Sequence, residues 1–576
     1  MRKNKKKLFS QQSNKVFKKM TSTSEDLKCI LETKDGPICG YIDKIESRTY
    51  YKFKSIPYAK PPIGKLRFMP PTPLQPWKDI LNCTNDAPLP ICPSLDKESL
   101  YSITGSEDCL YLEVSTPNIK PKEPMPVMFW IGSYSFAYYI DNISTLSVLT
   151  NDHNVIFVKC GFRLGPFGFL SINDYVAPGN CGLKDLIMAL KWVQRNISVF
   201  GGDPNNVTIL GDASGGAIVH FMMLSPMATG LFHKAIIKSA SALNNWAFTK
   251  NPCQPVMELA KHLNIKTTST VEIVDELRSM SACEIMTAFK KMSLEIRNGV
   301  NNDVIDTVFK PCIEIEFEGQ PAFLTKSPVL IMNSGNFHKV PLMIGSNNIA
   351  DANLKLMNKD TVNFDKINDN VCLLVPRSLA AEDKLSKNIG HQLLKFYLGG
   401  DARLTNDTTT QYLQLISDYY FSYYVNKSVR IHTEVAPEIP IYYFIINRAP
   451  EWAMPKEVNF LGALEQSDKF PIVFRIEMPK NGKHCRDLEL TRKKVLKMWS
   501  NFAKFGNPTP DDNDPLLQIT WDPVENKDRL NYLCIGSEIT KGRNPFHERM
   551  KFWDKLHQDH KFLRTLVYLN DIGCSW

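Results

Sequence analysis

The chain has 576 residues, 43% hydrophobic and 10% aromatic, enough to bury a large core and too apolar for a disordered protein. Its net charge of +9 is uneven: eight Lys and Arg and no acid lie within residues 1–19, so the remainder is nearly neutral and offers nucleic acid no footing. The 14 cysteines include no C-x-x-C pair and no cluster with metal-ligand spacing, so neither a metal nor a cofactor is expected.

Residues 1–26 read as a basic, disordered tail, followed by one folded unit over 27–565 and a short tail over 566–576. The first tail lacks the apolar stretch of an export signal, and no run of about 20 apolar residues is long enough to cross a bilayer. As written, the chain is expected in the cytoplasm or at a membrane periphery, with an extracellular or cell-surface placement as the alternative if the N-terminus is incomplete. Leu8, Phe9, Val16, Phe17 and Met20 share half of a helical wheel, which allows the tail to touch acidic lipid.

Residues 32–42 read as an edge hairpin turning at Asp35-Gly36. The prolines of residues 53–68 (FKSIPYAKPPIGKLRF) forbid helix and hold an extended segment. Residues 106–112 (SEDCLYL) lead into another strand. Short apolar runs at 127–131, 155–158, 207–210, 235–237, 341–344 and 441–446 read as buried strands. Between them, Leu186, Ala189, Leu190, Val193 and Ile197 have helical spacing, and residues 488–505 form a helix that stops at Gly506 with Pro508 beyond. Alternating strands and helices predict an α/β fold with a mostly parallel central sheet covered by helices on both faces.

Residues 206–224 carry the strongest signal. A strand, then Gly211-Asp212-Ala213-Ser214-Gly215-Gly216, then a helix is the layout of a nucleophile elbow, G-x-Ser-x-G, in which the glycines let turn and helix pack without a Cβ. Gly211 and Gly215 fix the frame, so the nucleophile position holds Ala213 and the serine stands one residue late, at Ser214.

Together with residues 162–170 (FRLGPFGFL), 179–185 (GNCGLKD), 200–204 (FGGDP) and 502–508 (FAKFGNP), these stretches resemble the type-B carboxylesterase and cholinesterase family of α/β-hydrolases, in the family's order. The resemblance implies a Ser-acid-His triad. The family's acid lies five residues past the strand that ends at Gly345, where this chain has Ala350, with Asp351 one place late. The family's histidine position, eight residues before Phe474, holds Gln466, whose amide cannot act as a base near neutral pH. The family's oxyanion loop, His-Gly-Gly-Gly-Phe, is replaced by Gly132-Ser133-Tyr134-Ser135-Phe136, so the oxyanion positions Ser133, Tyr134 and Ser214 are degenerate as well.

Four departures in separate segments predict a protein that acts by binding rather than turnover. By resemblance to the family's cholinesterase-like adhesion members, the expected ligand is a protein partner. A first alternative is sequestration of a small apolar ester or lipid in a gorge lined by Trp130, Tyr134 and Phe136; a second is weak carboxylic-ester hydrolysis through Ser214. Ser214 itself reads as a residue at a helix start whose hydroxyl bonds local backbone. The resemblance also implies a disulfide between Cys92 and Cys109, while Ile265, Glu276 and Met550 occupy other cysteine positions of the family. Sequons at Asn82, Asn142, Asn196, Asn206, Asn406 and Asn426 point to an oxidising compartment, and the many remaining thiols point to a reducing one.

Overall fold

The computed structural model describes residues 28–45, 48–93, 102–140, 153–298, 308–348, 363–376, 379, 383–400, 403–447, 483–536 and 538–560. The two tails, Asn142, Ala350, Asp351 and Gln466 lie outside the described residues.

Numbered in chain order, the strands of the 13-stranded sheet are β1 Lys28–Glu32, β2 Pro37–Ile45, β3 Arg48–Pro57, β4 Leu81–Asn82, β5 Tyr111–Thr116, β6 Met125–Ile131, β7 Ile156–Cys160, β8 Gly202–Asp212, β9 Lys234–Lys238, β10 Leu342–Asn347, β11 Ile441–Ile446, β12 Asn531–Ile535 and β13 Ile539–Arg543. Their spatial order is β1-β2-β3-β5-β7-β6-β8-β9-β10-β11-β12-β13, with β4 beside β2. From β7 to β12 every pairing is parallel. Antiparallel strands close both ends. The expected α/β architecture, mostly parallel at its centre, is therefore present.

The parallel strands read as continuous apolar runs because both of their faces are covered. Four helices matter to the site: α1 Cys181–Asn196, α2 Ser214–Leu224, α3 Tyr423–Val435 and α4 Lys483–Phe505. Val127, Phe129 and Ile131 of β6, with Ile209 and Ile237, pack among side chains of α1, α2 and α3. The alternate residues Met128 and Trp130, with Leu210, Ile236 and Met343, pack against Val495, Trp499 and Phe502 of α4. This alternation is the period of two of a strand. The same rule places α2 and the loops above it on one face and α4 on the other.

Two of the family-like motifs, residues 162–170 and 179–185, meet here. Arg163 lies 3% exposed and clamps Asp185 of α1 through Nε at 2.8 Å and Nη2 at 2.6 Å, while its N–H also donates to that carboxylate. Burial alone would push the guanidinium down, but Asp185 raises it above its ordinary value and keeps it charged.

The disulfide expected between Cys92 and Cys109 is not formed; both are buried free thiols. Cys92 is engaged by Thr104 and the Tyr139 backbone, whereas Cys109 lies in the field of Asp185 and Arg163. Burial pushes both thiols up, so they stay protonated and inert. Among the described residues, no helix is long and apolar enough to cross a membrane.

Candidate functional site

β8 ends at Asp212, and α2 begins at Ser214. The single residue between them, Ala213, has φ 52° and ψ −124°, a strained conformation for a residue with a Cβ. Its N–H donates to the Lys238 carbonyl at 3.0 Å, and its own carbonyl accepts from Ala217 at 3.0 Å, so both neighbours over-determine the turn. A Cβ on Gly211 would stand 2.3 Å from the Gly215 carbonyl oxygen, and one on Gly215 would stand 2.3 Å from the Ile131 carbonyl oxygen. Only glycine lets β6, β8 and α2 approach this closely. The frame read from the sequence is therefore the frame in space: the elbow residue is Ala213, whose methyl has nothing to donate or attack with.

Ser214 is the first residue of α2, and it is 1% exposed. Its hydroxyl does not bond local backbone, as the sequence suggested. It crosses to the loop after β6, where it accepts from the Phe136 N–H at 3.1 Å and donates to Ser133 Oγ at 3.0 Å. The adjacency of β6 and β8, with Gly211 opposite Ile131, brings these segments together.

The loop after β6 closes on itself. Ser133–Tyr134 pairs antiparallel with Tyr138–Tyr139. Between them Ser135 and Phe136 both have positive φ, 52° and 53°, and the Ala137 N–H closes on the Tyr134 carbonyl at 3.1 Å. Two central residues at positive φ are the mark of a type I′ turn, a conformation that glycine enters freely and serine and phenylalanine enter at a cost.

Of the three residues expected to line a gorge, Trp130 points to the other face of the sheet and packs with α4, because it is an alternate residue of β6. Phe136 is fully buried, with Phe169 at 5.4 Å and Trp246 at 6.1 Å between ring centroids. Tyr134 alone keeps partial exposure, its ring 6.1 Å from that of Tyr138. Two of the three are packing residues.

Sequence reasoning missed the floor of the turn. Asp212, just before the elbow, forms an ion pair with Lys238 at 3.2 Å, the two side chains 5% and 3% exposed. The signal available was a lysine at each end of the short apolar run Ala-Ile-Ile in the strand Lys234–Lys238. It also missed His220, on α2, whose Nε2 lies 2.9 Å from that of His432 on α3. Among the described residues, no three His, Cys, Asp or Glu side chains converge as a metal site.

The model of the carboxylesterase family matches residues 28–553, nearly all of the described chain. The chain belongs to the carboxylesterase family. Within that family it is 32% identical over 569 residues to a juvenile hormone esterase of Tribolium castaneum, covering 91% of this chain and 93% of that one. It is 31% identical over 519 residues to esterase FE4 of Myzus persicae, covering 86% and 87%. Among solved structures, it is similar to the juvenile hormone esterase of Manduca sexta with OTFP covalently attached, with a TM-score of 0.76 and 25% identity over 92% of this chain and all of that one. Juvenile hormone esterase and esterase FE4 are named for ester hydrolysis, whereas this carboxylesterase-family chain carries Ala213 at its elbow.

Proposed function

We propose that this carboxylesterase-family protein binds an apolar carboxylic ester without hydrolysing it. The observation that carries the reading is Ala213 at the elbow, at φ 52° and ψ −124°, where acyl transfer needs a nucleophilic oxygen. Removing the serine from a working triad costs about 10⁶ in turnover, and what survives depends on an intact oxyanion hole. Here the loop that supplies that hole carries Ser133, Tyr134 and Ser135 in place of glycines and closes in a tight turn in which Ser135 and Phe136 both have positive φ.

Hydrolysis through Ser214 would require its hydroxyl, 1% exposed, to give up two hydrogen bonds, and neither partner, a backbone N–H or a serine, is a base. The esterase names of its relatives favour a small ester over a protein as the ligand.

The test is to equilibrate the purified protein with a carbonyl-labelled long-chain alkyl ester, separate bound from free, and assay both fractions for ester and acid. Intact ester retained by the protein, with acid release no faster than in buffer, is the expected result. Release of acid at the rate of an active family esterase, or no retained ester, overturns the reading.

A further inference from the structure

We propose that the outer edge of the sheet carries a separate binding site, a cleft that takes a flat aromatic monocarboxylate. The cleft measures about 320 Å³ and lies between Trp521 and Asp522 of the loop after α4, Asn531 of β12, and Lys541, Gly542 and Arg543 of β13. Small-molecule sites start at about 300 Å³, so the space suits a compact ligand. It is remote from the elbow: β13 lies five strands from β8, roughly 24 Å across the sheet at about 4.8 Å per strand. Alternation along β12 fixes the face. Leu533 packs on the α4 side, so Asn531 lies on that side too. Arg543 stands opposite Asn531 and Lys541 opposite Leu533, which puts both cations beside Trp521 and away from α2.

The cleft is organised without a ligand. Asn531 Nδ2 donates to the Pro523 carbonyl at 3.1 Å, and Asn531 Oδ1 accepts from Arg543 Nε at 3.3 Å. The Val524 N–H donates to the Ile441 carbonyl at 2.7 Å, tying the same loop to β11. The guanidinium is thereby held by its inner nitrogen, while Nη1 and Nη2 have no partner among the described residues. Lys541 is already committed, its Nζ 2.8 Å from Asp522 Oδ2. Two cations and one carboxylate leave a single net positive charge, carried by a planar fork whose geometry matches a carboxylate. The wall beside it is aromatic: Trp521 is held edge-on by Tyr442 and Phe444, with ring centroids 5.7 and 6.2 Å away. Its indole N–H has no hydrogen-bond partner among the described residues. At Gly542 the strand is bare backbone, because a Cβ there would stand 2.5 Å from the Tyr532 ring. An aromatic wall and a bare strand favour a flat body over a branched one.

The probe is 2-naphthoate, titrated by calorimetry into the full chain at low salt, beside its neutral counterpart 2-naphthamide and beside 2-naphthyl phosphate. Naphthoate is expected to saturate one site, and the amide to bind at least about tenfold more weakly, because a charge-assisted pair outweighs a neutral hydrogen bond. The phosphate should bind no better than naphthoate, since the cleft has one net charge to offer. Arg543→Gln, at an exposed position, should weaken naphthoate about tenfold, and Arg543→Lys should recover only part of that loss.

Equal affinity for acid and amide would overturn the proposal, and so would no binding of naphthoate at millimolar concentration or an affinity that Arg543→Gln leaves unchanged. A phosphate that binds tenfold better than the acid would overturn the choice of a carboxylate. The comparison of acid with amide needs no variant, so it decides the matter even if Arg543→Gln folds poorly. None of the three probes is a carboxylic ester, so the outcome is independent of whether the elbow holds or hydrolyses one.

Discussion

Replacing His432 with glutamine tests the buried joint that holds α2, the helix of the elbow, against α3. His220 Nδ1 accepts the Ala242 N–H at 3.0 Å, which leaves its proton on Nε2 to be donated to His432 across 2.9 Å. The ring of Phe337 stands edge-on to His432 at 4.9 Å. Lys339 borders the small cavity beside it, lined also by Met223 and Ala436, and pairs with Glu438 at 3.4 Å on the outside. No carboxylate lines that cavity among the described residues, so nothing welcomes a second proton. Burial pushes His432 down to about 4 and His220 well below its ordinary value.

An unfolded histidine titrates near 6.5, so between about pH 6.5 and 4 the unfolded chain takes up a proton at this position and the native chain does not. Stability is complete above about pH 6.5 and falls on acidification by about 1.4 kcal/mol per pH unit, roughly 3 kcal/mol in all from His432. Glutamine still offers an oxygen to the His220 N–H but cannot be protonated. Urea unfolding at pH 7.5, 6, 5 and 4 should show His432→Gln losing about 3 kcal/mol less than wild type over that range. Equal acid losses in the two proteins would refute the joint as described.

Asp418 should behave with the opposite sign. It lies in a π-helical turn, Asp418–Ser422, where it accepts from Tyr397 Oη at 2.6 Å and has Arg549 Nε at 3.4 Å, while Oδ1 has no partner among the described residues. Burial outweighs both partners and raises it to about 6, so from about pH 6 to 4 the native chain takes up a proton before the unfolded one and gains roughly 3 kcal/mol. Asp418→Asn should abolish that gain in the same urea series, and an unaltered slope would contradict it. Gly215→Ala places a Cβ 2.3 Å from the Ile131 carbonyl oxygen, where backbone must move on both sides. Its unfolding free energy should fall by about 3 kcal/mol or more, and an unchanged urea midpoint would mean that β6 and α2 are not packed as described.

The apolar runs at residues 127–131 and 441–446 gave their strands within two residues, because a strand buried on both faces has a composition that little else shares. Residues 531–535 and 539–543 escaped notice: they are short, and Thr540, Lys541 and Arg543 make the outermost strand largely polar. The elbow frame was legible because Gly211 and Gly215 are required by backbone contacts that sequence spacing alone can express.

The partner of the Ser214 hydroxyl was not legible. Phe136 lies 78 residues away, and its positive φ has no signature in a phenylalanine. His220 and His432, 212 residues apart, were hidden for the same reason. Trp130 is a different case. The period of two along β6 already separated it from Val127, Phe129 and Ile131, so its place beside α4 could have been read from the strand itself.

The most direct test of an elbow without a nucleophile is to expose the purified protein to a fluorophosphonate and weigh it intact, beside an active carboxylesterase-family enzyme treated identically. With Ala213 at the turn and the Ser214 hydroxyl held by Phe136 and Ser133, the mass should stay unchanged while the control is fully labelled. A stoichiometric adduct mapped to Ser214 would contradict the account and make that serine a nucleophile.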